Sequence, residues 1–127
     1  MDPISDMLIR IKNANVAGRE VVYIPYSRFK HDLAKSLSQA GFIGDVEVKG
    51  KRVRKAIEVT LRYKGDEPAV SDVRMLSKPS RRLYASYKEL RPSRHGGIVL
   101  LTTPKGILTE STARKEKVGG QLIAEIW

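Results

Sequence analysis

The last quarter of the chain, Gly97 to Trp127, leaves few options for folding. Its apolar run Ile98-Val99-Leu100-Leu101 passes straight into Thr102-Thr103-Pro104-Lys105-Gly106. After Ile107-Leu108-Thr109 comes a short basic segment around Ala113 and Arg114, then Val118-Gly119-Gly120, then the apolar closing run Gln121 to Trp127. A helix this short has no stability of its own, so it must pack on the strands that flank it. The pattern predicts a strand, a helix over Thr109 to Lys117 and a closing strand. The two glycine-bearing turns bracket the helix and are expected to lie close enough to form one polar surface.

Upstream, the signals alternate between helix and strand. Asp2 can cap a helix and Pro3 suits its first position, with Ile4, Met7, Leu8 and Ile11 on one face and Arg10, Lys12 and Asn13 opposite. Val21 to Pro25 is a short β-rich run stopped by proline. Ser27 caps a second helix whose inner face is Phe29, Leu33, Ala34 and Leu37, and Gly41 ends it. Phe42 to Val48 and Ala56 to Tyr63 read as paired strands. In the second of them Ile57, Val59, Leu61 and Tyr63 alternate with Glu58, Thr60 and Arg62, so one face is buried. Their hairpin tip is Lys49-Gly50-Lys51-Arg52, with Arg54 and Lys55 beyond. Lys64-Gly65-Asp66-Glu67-Pro68 breaks the pattern and reads as a linker. Short strands follow at Val70–Leu76, Leu83–Leu90 with interruptions, Ile98–Thr102 and Gln121–Trp127. The expected architecture is α+β with two small domains: an N-terminal α-β-α-β-β module over residues 1–65 and a mostly-β C-terminal module over 70–127 with one short helix.

Charge narrows the partner. Twenty-four Lys and Arg face fourteen Asp and Glu, a net charge of +10. Residues 1–66 carry 13 basic and 8 acidic side chains and residues 67–127 carry 11 and 6, so the excess is not confined to a tail. An excess of this size repels itself unless a polyanion neutralises it. No stretch approaches the ~20 apolar residues of a membrane span, and the acidic start Met1-Asp2-Pro3 lacks the basic-then-apolar run of a signal peptide. The chain has no cysteine, which excludes disulfides and thiolate metal sites and fits a cytoplasmic protein.

Catalytic chemistry finds little material. The two histidines, His31 and His95, share no metal-ligand spacing, so no metal is expected. His31 reads as a solvated helix residue, and His95, in the basic loop Arg91 to Gly97, as a surface or phosphate contact. There is no nucleophile elbow and no Walker-type loop. Glu110 and Glu116 flank one helix without sharing a face at i, i+4 spacing. No catalytic residue, cofactor or small-molecule substrate is expected, and the chain is read as a non-enzyme. The residues alone leave two rivals to a stable ribonucleoprotein part. One is a free RNA chaperone or regulator; the other is an enzyme using Pro104-Lys105-Gly106 on a phosphorylated ligand.

Nucleic-acid features are denser. Arg74 to Arg94 holds seven basic residues and one acid, Glu89, with Tyr84 and Tyr87 among them. Basic side chains position a protein on phosphates, while tyrosine rings either stack on exposed bases or pack in the core. Thr102 and Thr103 offer short hydroxyls, and Gly106, Gly119 and Gly120 let another backbone approach. This combination suits an irregular RNA surface better than a DNA major groove. On this reading a valine at Gly120 harms recognition more than stability. Arg114, Lys115 and Lys117 add charge nearby.

Four blocks, in order and over essentially the whole length, resemble the bacterial form of the eighth protein of the small ribosomal subunit. They are Asp2-Pro3-Ile4-Ser5-Asp6-Met7-Leu8 with Arg10-Ile11-Lys12-Asn13-Ala14, then Gly41-Phe42-Ile43, then Ser77 to Tyr84, and the C-terminal run described above. The resemblance implies a structural constituent of the small subunit that binds the central domain of 16S rRNA early in assembly. Its C-terminal domain grips a helix with an irregular core, and its N-terminal domain touches further RNA. Neighbouring small-subunit proteins are implied partners, as is a similar element in the operon's own messenger RNA, with translational repression as the consequence. Carried over by position, the contacts fall on Thr102, Thr103, Lys105 and Gly106, with Gly119, Gly120 and Gln121 across from them. Tyr84, with Lys78 and Arg82 in the central block, Arg114 on the short helix, and Arg10, Lys12 and Asn13 near the N-terminus complete the implied rRNA-binding set. The chain departs from the family pattern at three of these places. Pro104 replaces a common serine and offers neither hydroxyl nor N–H. Gln121 replaces a common glutamate, and Ser80 stands where glycine is usual.

Overall fold

The computed structural model describes residues 2–127 and divides them into two compact units, Pro3–Ser71 and Asp72–Trp127. The first contains α1 (Pro3–Val16), β1 (Val21–Pro25), α2 (Arg28–Gln39), β2 (Ile43–Lys49), β3 (Ala56–Leu61), β4 (Tyr63–Lys64) and β5 (Glu67–Pro68). The second contains β6 (Val73–Met75), β7 (Tyr84–Ala85), β8 (Ile98–Thr103), β9 (Gly106–Thr109), α3 (Glu110–Glu116) and β10 (Gly120–Ile126). The α+β class holds, with an α/β N-terminal part and a mostly-β C-terminal part carrying one short helix.

In the first unit β3 lies between β1 and β2, and both pairings are antiparallel. Ile57, Val59 and Leu61 of β3 are buried, as are Met7, Leu8 and Ile11 of α1 and Leu33, Ala34 and Leu37 of α2. Each of these side chains larger than alanine contributes roughly 1.5–3 kcal/mol when fully withdrawn from water. The Ser27 hydroxyl accepts from the Lys30 amide at 3.1 Å and so caps α2. At the other end Phe42 N–H donates to Leu37 O and Gly41 N–H to Ser38 O, a Schellman closure with Gly41 at φ +87°.

Three expectations for this unit change. Phe29, at the open first turn of α2, is 38% exposed rather than buried with Leu33. Tyr63 has left β3 and is 37% exposed; its hydroxyl donates to Arg19 O. Residues 64–68, read above as a linker, form most of the tight β4–β5 hairpin, with Lys64 opposite Glu67 and Gly65 at φ +63° in the turn. The following segment is tied back by Asn15, which is fully buried. Its Nδ2 donates to Arg62 O at 3.1 Å and its Oδ1 accepts from the Val70 amide at 2.9 Å.

The second unit is organised by β10. It pairs antiparallel with β8 on one side, and β6 and β7 share its other side; β9 continues the sheet beyond β8. A register shift between Leu122 and Ala124 inserts Ile123 as a bulge. The short helix α3 seats Ala113 on a cluster with Leu90 and Leu101, and Tyr87, Leu108, Val118 and Leu122 pack around it. The strand expected over Leu83–Leu90 shrinks to Tyr84–Ala85. Ser86 to Glu89 turns instead, with Glu89 N–H donating to Ser86 O and Ser86 N–H to Glu89 Oε1 at 2.8 Å. Strand β9 was not expected; the run Ile107-Leu108-Thr109 was passed over as the approach to α3.

Two buried carboxylates serve the backbone of this unit. Glu110 Oε2 accepts from the Val99 amide at 2.9 Å, and Glu125 Oε2 accepts from Ser93 Oγ and from the Arg94 amide. Glycine matters most where strands close. A Cβ at Gly120 would lie 1.9 Å from Thr102 O, and one at Gly119 would lie 2.3 Å from Ala85 O. The space beside both glycines is filled by this chain's own backbone. The expectation that Gly120→Val harms recognition more than stability is therefore reversed. Even Gly120→Ala is expected to cost about 3 kcal/mol or more, because backbone atoms cannot step aside as a flexible side chain does. A urea titration of the full chain checks this through a fall in midpoint at unchanged slope.

Candidate nucleic-acid interface

The register of the second sheet places four residues in one row: Tyr84 opposite Gln121, Gln121 opposite Thr102, and Thr102 opposite Ile107. Directly opposed residues of antiparallel strands project to the same face. The next row, Leu122, Leu101 and Leu108, projects to the other face and meets Ala113 of α3. The sheet thus buries one row under the helix and presents the other. Tyr84 is 70% exposed while Tyr87 packs in the cluster, which separates the two tyrosines that the sequence leaves equivalent. Thr102 and Gln121 are half-buried.

Beside the row, Thr103 pairs with Gly106 across a two-residue turn, Pro104-Lys105. Thr103 Oγ1 donates to Gly106 O at 2.8 Å and accepts from the Lys105 amide at 3.1 Å, so this hydroxyl is spent closing the turn. Pro104 takes the second turn position, where its fixed φ fits and no ladder N–H is required. Gly106 has φ +109°, which a side chain would strain, although the space around it is open. The Lys105 ammonium is half-exposed and 3.8 Å from Glu116 Oε1 of α3, a surface pair of small net energy. Gly119 and Gly120 flank the row but offer no gap to a ligand, for the steric reason given above.

The helix α3 brings the remaining charge. Thr109 caps it, accepting from the Thr112 amide. Lys117 N–H donates to Arg114 O and Val118 N–H to Ala113 O, a second Schellman closure, and Val118 packs on the cluster that holds Ala113. Here the left-handed position is held by Lys117, at φ +56°, where glycine is the usual residue. Arg114 Nη1 is enclosed and has no hydrogen-bond partner among the described residues.

The central block folds as a loop. Ser77 Oγ accepts from the Leu83 amide at 2.9 Å, and a bridge between Lys78 and Arg81 closes a turn that leaves Lys78, Arg81 and Arg82 exposed. Ser80 in this turn does not have positive φ, so glycine is not needed there. Arg10, Lys12 and Asn13 belong to the other unit, on α1. Arg10 is engaged within the chain, donating to Asp6 Oδ2 and to Tyr23 O, both at 3.3 Å. His95, expected as a surface contact, stacks on Trp127 with centroids 4.0 Å apart. Sequence reasoning passed over two site features, strand β9 with Ile107 in the row and the strained Lys117. Neither leaves a compositional signal, since β9 is only four residues and a left-handed lysine looks like any other.

Glu89 is the acid inside the basic segment. The Ser86 backbone N–H bonded to its carboxylate holds it below the usual glutamate range.

A family profile described as Ribosomal protein S8 matches residues 2–127. A protein of Mycoplasmopsis agalactiae named Small ribosomal subunit protein uS8 is 45% identical over 127 residues, covering 99% of this chain and 97% of that one. Proteins of the same name from Dictyoglomus turgidum and Anaeromyxobacter sp. are 44% and 43% identical at the same coverage.

Two outcomes follow from the geometry. The folded value of Glu89 is depressed, so its contribution is complete above the ordinary glutamate range and disappears as pH falls through the folded value. An NMR titration is expected to move the Ser86 amide resonance over that acid range, and Glu89→Gln is expected to abolish the shift. Lys117→Gly is expected to raise stability by about 1 kcal/mol, the relief of a left-handed L residue, and thermal unfolding reads it.

Proposed function

The chain belongs to the ribosomal protein S8 family, a family of structural rather than enzymatic proteins, and from that premise we propose that it is a cytoplasmic component of the small ribosomal subunit that holds 16S rRNA in the central domain. The second unit carries the contact. The observation that supports this best is the row Tyr84–Gln121–Thr102, lying beside the closed turn that projects Lys105. A stacking ring, an amide with donors and acceptors, and a hydroxyl at fixed register match an irregular, partly unpaired helix in shape. Lys105, Arg114, Lys78 and Arg82 supply the phosphate-directed, salt-dependent part of the affinity.

Gln121 suits this role. An amide adds donors and removes a negative charge that would face phosphates. Thr103 and Gly106 act by shaping the turn, and Gly119 and Gly120 by letting β10 close. Arg10, Lys12 and Asn13 offer a smaller RNA contact on the first unit, with Arg10 first giving up its bonds to Asp6 and Tyr23. Neighbouring small-subunit proteins complete the site in the particle. A messenger element of the same irregular shape, in the chain's own operon, would compete for the same row and so repress translation.

The test is a salt-titrated affinity for the isolated central-domain helix, against a duplex of equal length with its irregular core fully paired. Binding is expected to survive salt on the irregular helix and collapse on the regular one. Equal affinity for both, lost together as salt rises, would leave only charge at work. Within this assay Lys105→Ala is expected to lower the salt slope by about one. Tyr84→Ala is expected to weaken binding by roughly tenfold at unchanged slope.

A further inference from the structure

The second sheet also has a face turned away from the Tyr84–Gln121–Thr102 row. Val99 lies two residues before Leu101 on β8, so it projects to the side of α3. The residues in register with it, Glu125 on β10 and Arg74 on β6, project the same way. α3 covers the Leu101 and Leu108 end of this face. At the other end there is a cleft of about 320 Å³. Its floor includes Leu76, Leu90 and Leu122, and its rim carries Arg74, Arg91 and Arg94, all three exposed.

Beside the cleft runs an unpaired strand edge, since β6 is outermost on this side of β10. Asp72 and Trp127 exchange both backbone bonds, and Leu76 N–H donates to Ile123 O. Arg74 therefore bonds inward to β10, and the backbone groups of Val73 and Met75 point outward. Asp72 Oδ1 accepts from the Val73 amide at 2.8 Å. Val73 O, Met75 N–H and Met75 O have no partner among the described residues. A second depression, lined by Met75 and Leu83, continues from the cleft and shares Arg74 and Leu76 with it, so space lies beside these groups. Outward donors and acceptors in a row are a template for one more strand. A residue added opposite Arg74 would project to the side of the cleft.

The charges at the cleft select the strand. Arg91 Nη1 donates to Lys88 O and Leu90 O, both at 3.2 Å, which seats its guanidinium at the rim. The Arg74 and Arg94 side chains have no partner among the described residues. Glu89 and Glu125 also line the cleft, each accepting a backbone N–H of the Ser86–Arg94 segment. Two carboxylates would repel a run of phosphates, and among the described residues no aromatic ring lines the cleft to stack a base. A peptide can instead space its carboxylates to reach the arginines and lay an aliphatic side chain on the leucine floor between them. We infer that the β6 edge docks an acidic, extended segment of a second protein. The segment adds as a strand beside Val73–Met75, with carboxylates on Arg74 and Arg94 and one apolar side chain in the cleft. None of the residues assigned to rRNA above takes part.

The experiment uses the full chain and a fluorescently labelled heptapeptide of alternating glutamate and leucine, read by anisotropy. Combining Arg74→Gln with Arg94→Gln is expected to weaken binding by roughly tenfold, through the loss of charge-assisted bonds. The same heptapeptide, N-methylated at alternate residues along its pairing edge, keeps every side chain and charge but cannot donate to Val73 O and Met75 O. It is expected to bind the parent chain roughly tenfold more weakly. The arginine variant is expected to keep its far-UV circular dichroism and its preference for the irregular rRNA helix over the paired duplex. Removing the same charge from α2, through Arg28→Gln and Lys30→Gln, is expected to leave peptide binding unchanged. The inference is overturned if the N-methylated peptide binds like the unmodified one, because charge alone would then be acting. It is equally overturned if the arginine variant binds the peptide like the parent, or if the α2 control weakens binding as much. A labelled oligouridylate that loses as much affinity as the peptide in the arginine variant would make the cleft an RNA surface instead. A parent chain that sediments as a dimer, with the variant a monomer, would give the edge to a second copy.

Discussion

Everything in the second unit depends on how closely β10 approaches its neighbours. Its first residue, Gly120, brings its Cα against the Thr102 carbonyl, in a space where no side chain fits. Its far end closes against Gly97, where a Cβ would lie 1.8 Å from Ile126 O. Between these points β10 pairs with β6 and β7 on one side and β8 on the other, so a shift of this strand moves every partner. The register that aligns Tyr84, Gln121 and Thr102 is therefore a consequence of two glycine contacts. A slip of one residue would turn the whole row to the other face and bring leucines out.

A small number of polar side chains does work that regular secondary structure leaves undone. Glu110 and Glu125 take backbone amides of Val99 and Arg94, Ser77 takes that of Leu83, and Asn15 that of Val70. Each satisfies a donor at the edge of an irregular segment, where an unpaired buried group costs about 1–3 kcal/mol. In a 127-residue chain with short strands, such bonds replace ladder pairs that longer strands would provide.

Where the sequence is periodic or punctuated, it is readable. Pro3, Ser27 and Gly41 mark the helices of the first unit, and the alternation of Ile57, Val59 and Leu61 marks its central strand, because caps and periodicity are local. The Thr102–Gly106 turn and the Gln121 strand are legible for the same reason. What the residues do not reveal is tertiary. Tyr84 lies on the two-residue strand β7 and projects to the open face, while Tyr87 lies in the turn that follows and packs on the cluster under α3. Gly119 and Gly120 look like openings for a ligand and are instead occupied by the chain itself. The break at Lys64–Pro68 has linker composition, yet a two-residue hairpin needs the same glycine and charge. Family resemblance supplied the positions of the candidate contacts; geometry separates those that face outward from those that hold the sheet.

That separation explains why charge and shape reside on different residues. Groups that fix the sheet, such as Gly120, Thr103 and Glu110, are buried or committed to intrachain bonds and cannot change partners. The exposed cations lie on short closed turns: Lys105 at the β8–β9 turn, Lys78 and Arg81 across a bridge, and Lys51 to Arg54 in a 3-10 turn. A lysine or arginine on a fixed turn loses only side-chain freedom when it meets a phosphate, since its backbone is already ordered. Mutual repulsion among these cations raises the free energy of the unbound chain, and a polyanion removes it. On the proposed rRNA-binding reading, the net charge of +10 acts as driving force for association, while the glycine-pinned register would decide which RNA shape can use it.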